Sequence, residues 1–477
     1  MSTELAVANR LDSIEVRSFD YVPPDERHGE PRQVFYMWFG ISATVFSLVT
    51  GFVGITLGLS FWWTLLSVIL GNVLGALFMA FHAAQGPQLG IPQMIQSRAQ
   101  FGYYGALLPL VVTWVMYIAF LAIDIVLAGQ GFQAVFPWSL NGWMIVMTIP
   151  MLLLAIYGYD FINRYNKYQT WLYIALFLGL TVFMSVHGVP HGVPHGGLSR
   201  GTFHAGAFLL SMSIVASYQI TYAPYVSDYT RYLPRDAARK VFWRTYAATV
   251  ISCVWLMGLG AAIGVLNPSA PSMLFEIKSI TGPLGGTLAI LLAIGLIAPN
   301  SANVYGGMMT ALSIGNNVDG RLRSTRTLRA VICVIVAALG ALVATAGAGA
   351  FMTNLENYMT MILYILIPWS VINLVDYYLL RHGQYRTEDF YARDGSFGRV
   401  NPRAMIIYLL AFGIEVPFMN TTVYEGPVAR ALGSGDIAWM VGALVTVPLY
   451  VGGAWLARRQ SATLKPSGEQ IAPNAIG

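Results

Sequence analysis

Charge is what this chain has least of. Asp, Glu, Lys and Arg together make up 10% of its 477 residues, while 56% are hydrophobic. An ordinary soluble domain carries about 25% charged residues, so this composition excludes that class. Long apolar runs recur along most of the chain and leave a polytopic α-helical membrane protein. Cysteine is almost as scarce. Cys253 and Cys333 both lie inside apolar runs, so neither a disulfide framework nor a thiolate metal centre is implied. No phosphate-cradling loop, no HExxH and no nucleophile elbow occurs, which argues against an ATP-driven pump, a hydrolase or any other enzyme, and no cofactor is implied. The net charge of +5 comes from loop arginines and gives no sign of nucleic acid as a partner. The polar start, with Glu4, Arg10, Asp12 and Glu15, has no apolar core behind it and reads as a tail, not a cleaved signal.

What is there is a series of apolar segments. About 20 residues cross the hydrocarbon core, and twelve segments meet that length. They are 34–58, 60–84, 104–131, 141–159, 167–186 and 204–226, then 244–266, 284–314, 327–347, 355–380, 403–423 and 436–457. Basic residues test the count. With both tails cytoplasmic, every Lys and Arg except Arg200, Lys278 and Arg430 falls on the inner side. So one-sided a bias agrees with positive-inside topology and with no span missed near the middle. Between spans 2 and 3, GIPQMIQSRAQFGYYG is too short and polar to cross and is expected as a short helix at the cytoplasmic face. The loop after span 5 carries His187, His191, His195 and His204. Its Gly/Pro-rich HGVP spacing favours an extracellular flexible loop over a metal site.

Two spans look broken alike. Span 1 carries Gly40, Ser42, Thr44, Gly51 and Gly54. Span 6 reads SIVASYQITYAPYVSDYTRY, with Pro224 at mid-depth. Interrupted helices at matching places in two halves point to an inverted-repeat transporter with its site at the midplane, where unwound backbone lines a cavity. The rival reading of the span 1 glycines is close helix packing.

Asp124 stands alone in span 3, with Phe120 and Tyr117 behind it at i−4 and i−7. An intramembrane carboxyl survives by facing a wet cavity or a partner and is functional by default. It suits hydrogen bonding to a ligand N–H, or uptake of a driving proton. A buried acid held by a local partner is the alternative. In span 8, LIAPNSANVYGG places Asn300 and Asn303 on one face beside Pro299. Each carboxamide offers donor and acceptor, as the edge of a base requires, although interhelical glue is the competing role. Around the span 6 break, Tyr218, Gln219, Thr221 and Tyr222 offer stacking and hydrogen bonds. Asp376, near the end of span 10, is expected to hold a loop arginine. Glu415 in span 11 is read as a packing, partner-contact or lipid-edge residue.

These stretches together resemble the nucleobase:cation symporter family one, above all its purine–cytosine permease branch. GIPQMIQSRAQFGYYGALLP is similar to the segment before span 3, APYVSDYTRYLP to the end of span 6, and PWSVINLVDYYLLRHGQY to the end of span 10, within a match over residues 18 to 400. The resemblance implies the leucine-transporter fold: twelve transmembrane helices, a 5+5 inverted repeat and broken helices 1 and 6. On that plan residues 1–33 form a cytoplasmic tail, 34–186 and 204–380 the two repeats, 403–457 the last two spans and 458–477 a second cytoplasmic tail. It implies a site between spans 1, 6, 3 and 8, with a stacking aromatic at Phe120 and a polar substrate contact at Asp124. Relatives carry a second stacking aromatic where this chain has Gln219, so either that role passes to Tyr218 or Tyr222 or the ligand is held differently. Sodium-coupled relatives carry adjacent hydroxyls where Ala298 and Pro299 stand here, whereas APNSANVY is closer to proton-coupled fungal relatives. Asp124, Gly40, Ala43 and Ser301 are the candidate cation-coupling positions. The expected work is proton-coupled import of cytosine or a purine through a bilayer, with Na⁺ as the second choice of ion. Allantoin, hydantoin, uracil, thiamine or a B6 vitamer is the alternative cargo, and a channel or receptor the rival class. Oligomeric state is left open.

Overall fold

The computed structural model describes residues 21–187, 203–268, 270, 272–319 and 325–463. Among these, eight stretches are long and apolar enough to cross a membrane, and one further pair of helices does so together although bent by 58°. The 55-residue stretch Arg326–Leu380 is too long for one crossing. It divides at the 3-10 turn Ala348–Ala350 into spans 9 (Arg326–Gly347) and 10 (Phe351–Leu374). Ala205–Ile220 with Val226–Thr230, and Pro402–Glu415, add the broken span 6 and span 11. The architecture is thus all-α, with twelve spans.

The bent pair is span 1, Pro31–Ser42 and Val45–Thr56, broken at Ala43 and Thr44. The glycines are not the cause of the break. A Cβ on Gly51 would stand 1.9 Å from the Met257 carbonyl oxygen of span 7 (Ala238–Leu266), and one on Gly40 2.5 Å from Thr170 of span 5 (Tyr159–His187). They let neighbouring helices approach, so both readings of this span hold, at different residues. The half after the break is buried from Val45 to Ile55 and forms the axis around which spans 2 (Phe61–Leu89), 6 and 7 pack. Span 6 is interrupted at Thr221–Tyr225, where Pro224 lacks an amide to continue the helix.

Three expectations need correction. Span 8, expected as one continuous segment over 284–314, breaks at Gly295–Leu296, between Gly285–Ile294 and Ile297–Val318. Pro299 sits in the first turn of the second half, where its missing N–H has no intrahelical partner to lose. The ring of Tyr173 occupies the space at Gly295, where a Cβ would come within 2.0 Å of it, and its hydroxyl donates to the Leu292 carbonyl at 2.5 Å. Span 11 ends at Glu415, short of residue 423, because a 3-10 turn, Val416–Phe418, carries Pro417 into a polar loop. The segment between spans 2 and 3 does not lie on the surface. It folds into two one-turn helices, Gln93–Gln96 and Arg98–Phe101, all of whose residues are buried. Its glutamines enter a polar network instead of meeting water. Gln93 Nε2 donates to His82 Nδ1 at 2.9 Å, and Gln100 Nε2 to Asp376 at 3.0 Å. Residues 188–202, with His191 and His195 of the histidine tract, lie outside the described residues.

Candidate functional site

Two of these breaks, those of spans 1 and 6, meet a chamber of about 840 Å³. Its walls come from span 1 up to Phe46, span 3 (Leu107–Gln133) up to Asp124, span 5 from Ile162 to Ile174, span 6 from Tyr218 onward and span 8 from Pro299 onward. Apart from Phe46 and Tyr218, which stand just past the breaks, the walls from spans 1 and 6 lie on the side that carries Lys167 and Arg231. There the chamber reaches Tyr36, which is 67% exposed. Toward the far end of span 1 it stops at packed rings. Phe46 lies 5.7 Å from Phe120 and 5.1 Å from Tyr218, and Phe120 lies 5.6 Å from Tyr358 of span 10, centroid to centroid.

Asp124 lies in the wall at 7% exposure, and its Oδ1 has no hydrogen-bond partner among the described residues. A buried carboxyl without a partner is expensive, so the group is set to receive something that enters the chamber. Phe120 is one turn behind it, and Tyr117 faces Tyr225 at 5.5 Å. Asn303 also lines the chamber. Its Nδ2 donates to Asn300 Oδ1 at 3.1 Å, which leaves its own carbonyl oxygen as the free acceptor. Asn300 is wholly buried. It donates to the Leu121 carbonyl at 3.3 Å and approaches the Met151 sulfur at 3.2 Å. It therefore fixes span 8 to span 3 one turn before Asp124, and its contact with the chamber is indirect.

At the span 6 break, Tyr218, Thr221 and Tyr222 all line the chamber. The Tyr218 hydroxyl is 2.8 Å from Ser47 Oγ and accepts from Tyr222 at 3.2 Å, and Thr221 Oγ1 donates to the Tyr218 carbonyl at 2.8 Å. These bonds cross the two breaks and fix the rings in place. Gln219 is not brought to the chamber. It turns to another face of span 6, fully buried, and its Nε2 donates to Asn72 of span 2 at 2.7 Å. One residue of helix separates it from Tyr218, about 100° of rotation, which suffices to put the two on different faces.

Of the candidate cation positions, Gly40 lines the chamber. Ala43 is buried in packing, and Ser301 bonds back to the Ile297 carbonyl at 2.6 Å. Ala298 is fully buried in an apolar cluster with Leu154 and Ile162. Asp376 does hold a loop arginine. Arg381 Nε is 3.2 Å away, with Tyr385 and Gln100 donating to the same carboxylate. Glu415 is buried and does not line the chamber; it lies against Gly442 of span 12 (Ala438–Thr463). The sequence reading missed span 5. Asn166, Gln169, Thr170 and Tyr173 line the chamber at i, i+3, i+4 and i+7. That spacing in RYNKYQTWLYIALFLG is one helical face and was available as a signal.

A family model described as "Permease for cytosine/purines, uracil, thiamine, allantoin" matches residues 21–442. The chain belongs to the nucleobase:cation symporter family one, in its purine–cytosine permease branch. A putative purine–cytosine permease of Bacillus subtilis, YxlA, is 38% identical over 451 residues, covering 92% of this chain and 95% of that protein. The purine–cytosine permease fcyB of Emericella nidulans is 25% identical over 456 residues, covering 90% and 86%. The chain is similar in fold to Mhp1 in its inward-facing conformation, with a TM-score of 0.74, 17% identity, and 96% and 99% of the two chains covered. Mhp1 with bromovinylhydantoin bound gives 0.73 at 16% identity, covering 94% and 96%. The leucine-transporter-like fold follows from that likeness. The protein is a permease and not an enzyme, a secondary transporter of the class that moves nucleobases with a cation.

Proposed function

We propose that this permease imports cytosine or a purine base, driven by protons, and that Asp124 is where base and proton meet. The observation that carries this is the partnerless carboxyl of Asp124 in the chamber wall, with Phe120 one turn away and the free Asn303 carbonyl oxygen in the same chamber. Two acceptors beside aromatic rings suit a flat ring with N–H donors on its edge. A carboxyl whose proton state changes between chamber states couples the two fluxes. The resemblance to proton-coupled relatives supports the choice of ion, as does the apolar burial of Ala298 where sodium-coupled relatives carry a hydroxyl, since a hard cation wants oxygen ligands.

The arginine-rich side of the chamber is then the cytoplasmic side, with both tails facing inward, and the structure is the state that releases cargo into a cell through its plasma membrane. Phe46, Phe120, Tyr218 and Tyr358 form the closed gate toward the outside.

The test is uptake of radiolabelled cytosine, adenine and hypoxanthine by proteoliposomes under an imposed inward proton or sodium gradient. Uptake driven by protons alone is expected. Uptake driven by sodium alone would overturn the role of Asp124 as the coupling group. Uptake of none of the three bases would move the substrate to allantoin, hydantoin, uracil, thiamine or a B6 vitamer.

A further inference from the structure

The chamber is larger than one base needs. Pockets of roughly 300–1,000 Å³ hold drug-sized ligands, and this one, at about 840 Å³, is near the top of that range. A single base at Asp124 leaves its lower half open. That half has its own polar wall, the face of span 5 formed by Asn166, Gln169 and Thr170.

Gln169 is the notable residue there. It is 8% exposed, it lines the chamber, and its Oε1 is enclosed with no hydrogen-bond partner among the described residues. An enclosed amide oxygen without a donor costs about 1–3 kcal/mol. Rotation about the last side-chain torsion, which is broad for a carboxamide, presents that oxygen to the chamber, where an incoming N–H would meet it. Tyr173, one turn further along span 5, lies near Asp124. Gln169 is therefore about 6 Å closer to the mouth, at 1.5 Å per residue. Span 6 contributes Tyr225 and Tyr229 to the same chamber, with centroids 6.5 Å apart, and their rings offer faces for stacking.

We propose a second base-binding subsite centred on Gln169, with Asn166 beside it, that holds a nucleobase between the Asp124 site and the mouth. It rests on the reading that the chamber binds nucleobases. A carboxamide pairs with the edge of a base through both its donor and its acceptor. It carries no charge, so it holds the base more weakly than Asp124 does, as a station on an exit route must.

The test is equilibrium binding of radiolabelled cytosine and of adenine to the purified full chain. Wild type is expected to bind two bases per chain, one tightly and one weakly. Gln169→Leu should lose the weak component and keep the tight one within about twofold, which also reports that the variant is folded. Asp124→Asn should lose the tight component and keep the weak one. If Gln169→Leu binds nothing, Asn166→Ala decides. It should weaken only the second component by about threefold to tenfold, and no weakening overturns the subsite. One base per chain in wild type, abolished by Asp124→Asn, overturns the subsite and leaves the proposed function standing. No binding of either base by wild type overturns both.

Discussion

Gly40 and Gly51 each stand where a side chain would collide, but with different neighbours. At Gly51 the obstacle is the Met257 backbone carbonyl, 1.9 Å from a would-be Cβ, and a backbone in mid-helix has nowhere to go. Gly51→Ala should therefore separate spans 1 and 7 and lower the unfolding temperature markedly, the effect expected of overpacking worth about 1–3 kcal/mol or more. At Gly40 the obstacle is the Thr170 side chain. Gly40→Ala should lower uptake, and the double variant with Thr170→Ala should recover most of it, because the added methyl then fills the space vacated. Recovery in the Gly51 variant by any single side-chain truncation in span 7 would sink this distinction. Asp124 makes the sharper prediction. Asp124→Asn keeps the size and removes the titrating group, so gradient-driven uptake should fall by at least about tenfold. The residual uptake should no longer respond to external pH. Wild-type-like pH dependence in that variant would remove Asp124 from coupling.

At the scale of elements, the wall of the chamber is set by residues that never touch it. Asn300 ties span 8 to the Leu121 carbonyl of span 3 and takes a hydrogen bond from Asn303. Asn300→Ala should weaken substrate affinity by about threefold to tenfold, through loss of roughly one hydrogen bond of positioning, with a smaller effect on transport at saturating substrate. Titration of initial uptake rates against substrate concentration separates the two. The segment between spans 2 and 3 lines the chamber with Pro92, Met94 and Ile95 and is itself held from behind by buried polar groups. His82 stacks on Trp369 of span 10 with 5.0 Å between centroids, and bonds Gln93 at 2.9 Å and Ser370 at 2.8 Å. Gln93 N–H in turn donates to Asp228 at 2.7 Å. That network joins spans 2, 6 and 10 through one buried imidazole. His82→Leu should lower thermal stability clearly, since it strands the buried Ser370 hydroxyl at about 1–3 kcal/mol and leaves Gln93 only its longer bonds to Gln85 and Gln96, while substrate protection against heating persists.

For the whole molecule, the chamber reaches the exposed Tyr36 on the side that carries Lys167 and Arg231, and the two native cysteines give no background because both are buried. A probe at Tyr36, exposed and in the chamber wall, reports that geometry. Tyr36→Cys should react with a membrane-impermeant maleimide in inside-out vesicles and not in right-side-out ones. The reverse pattern would invert the proposed orientation.

Twelve spans, the breaks in spans 1 and 6 and the importance of span 3 were legible in the chain itself. Apolar run length, prolines and a lone intramembrane acid act locally and leave their mark within one segment. The placement of individual polar side chains was not legible. Gln219 and Tyr218 are neighbours in sequence, yet one pairs with span 2 and the other lines the chamber. Asn300 and Asn303 share a helix face, yet only one reaches the chamber. Gln169 and its neighbours form a visible polar face, but nothing within span 5 says what that face meets. The buried segment after span 2 looked like a surface helix because its partners, Asp228 and Asp376, are more than a hundred residues away. The sequence by itself determined which stretches cross the membrane and where helices must break, because hydrocarbon penalises any other solution within a few residues. Only the tertiary structure decided which polar atoms share one chamber and which pair with each other, because that depends on how helices distant in sequence are rotated against one another.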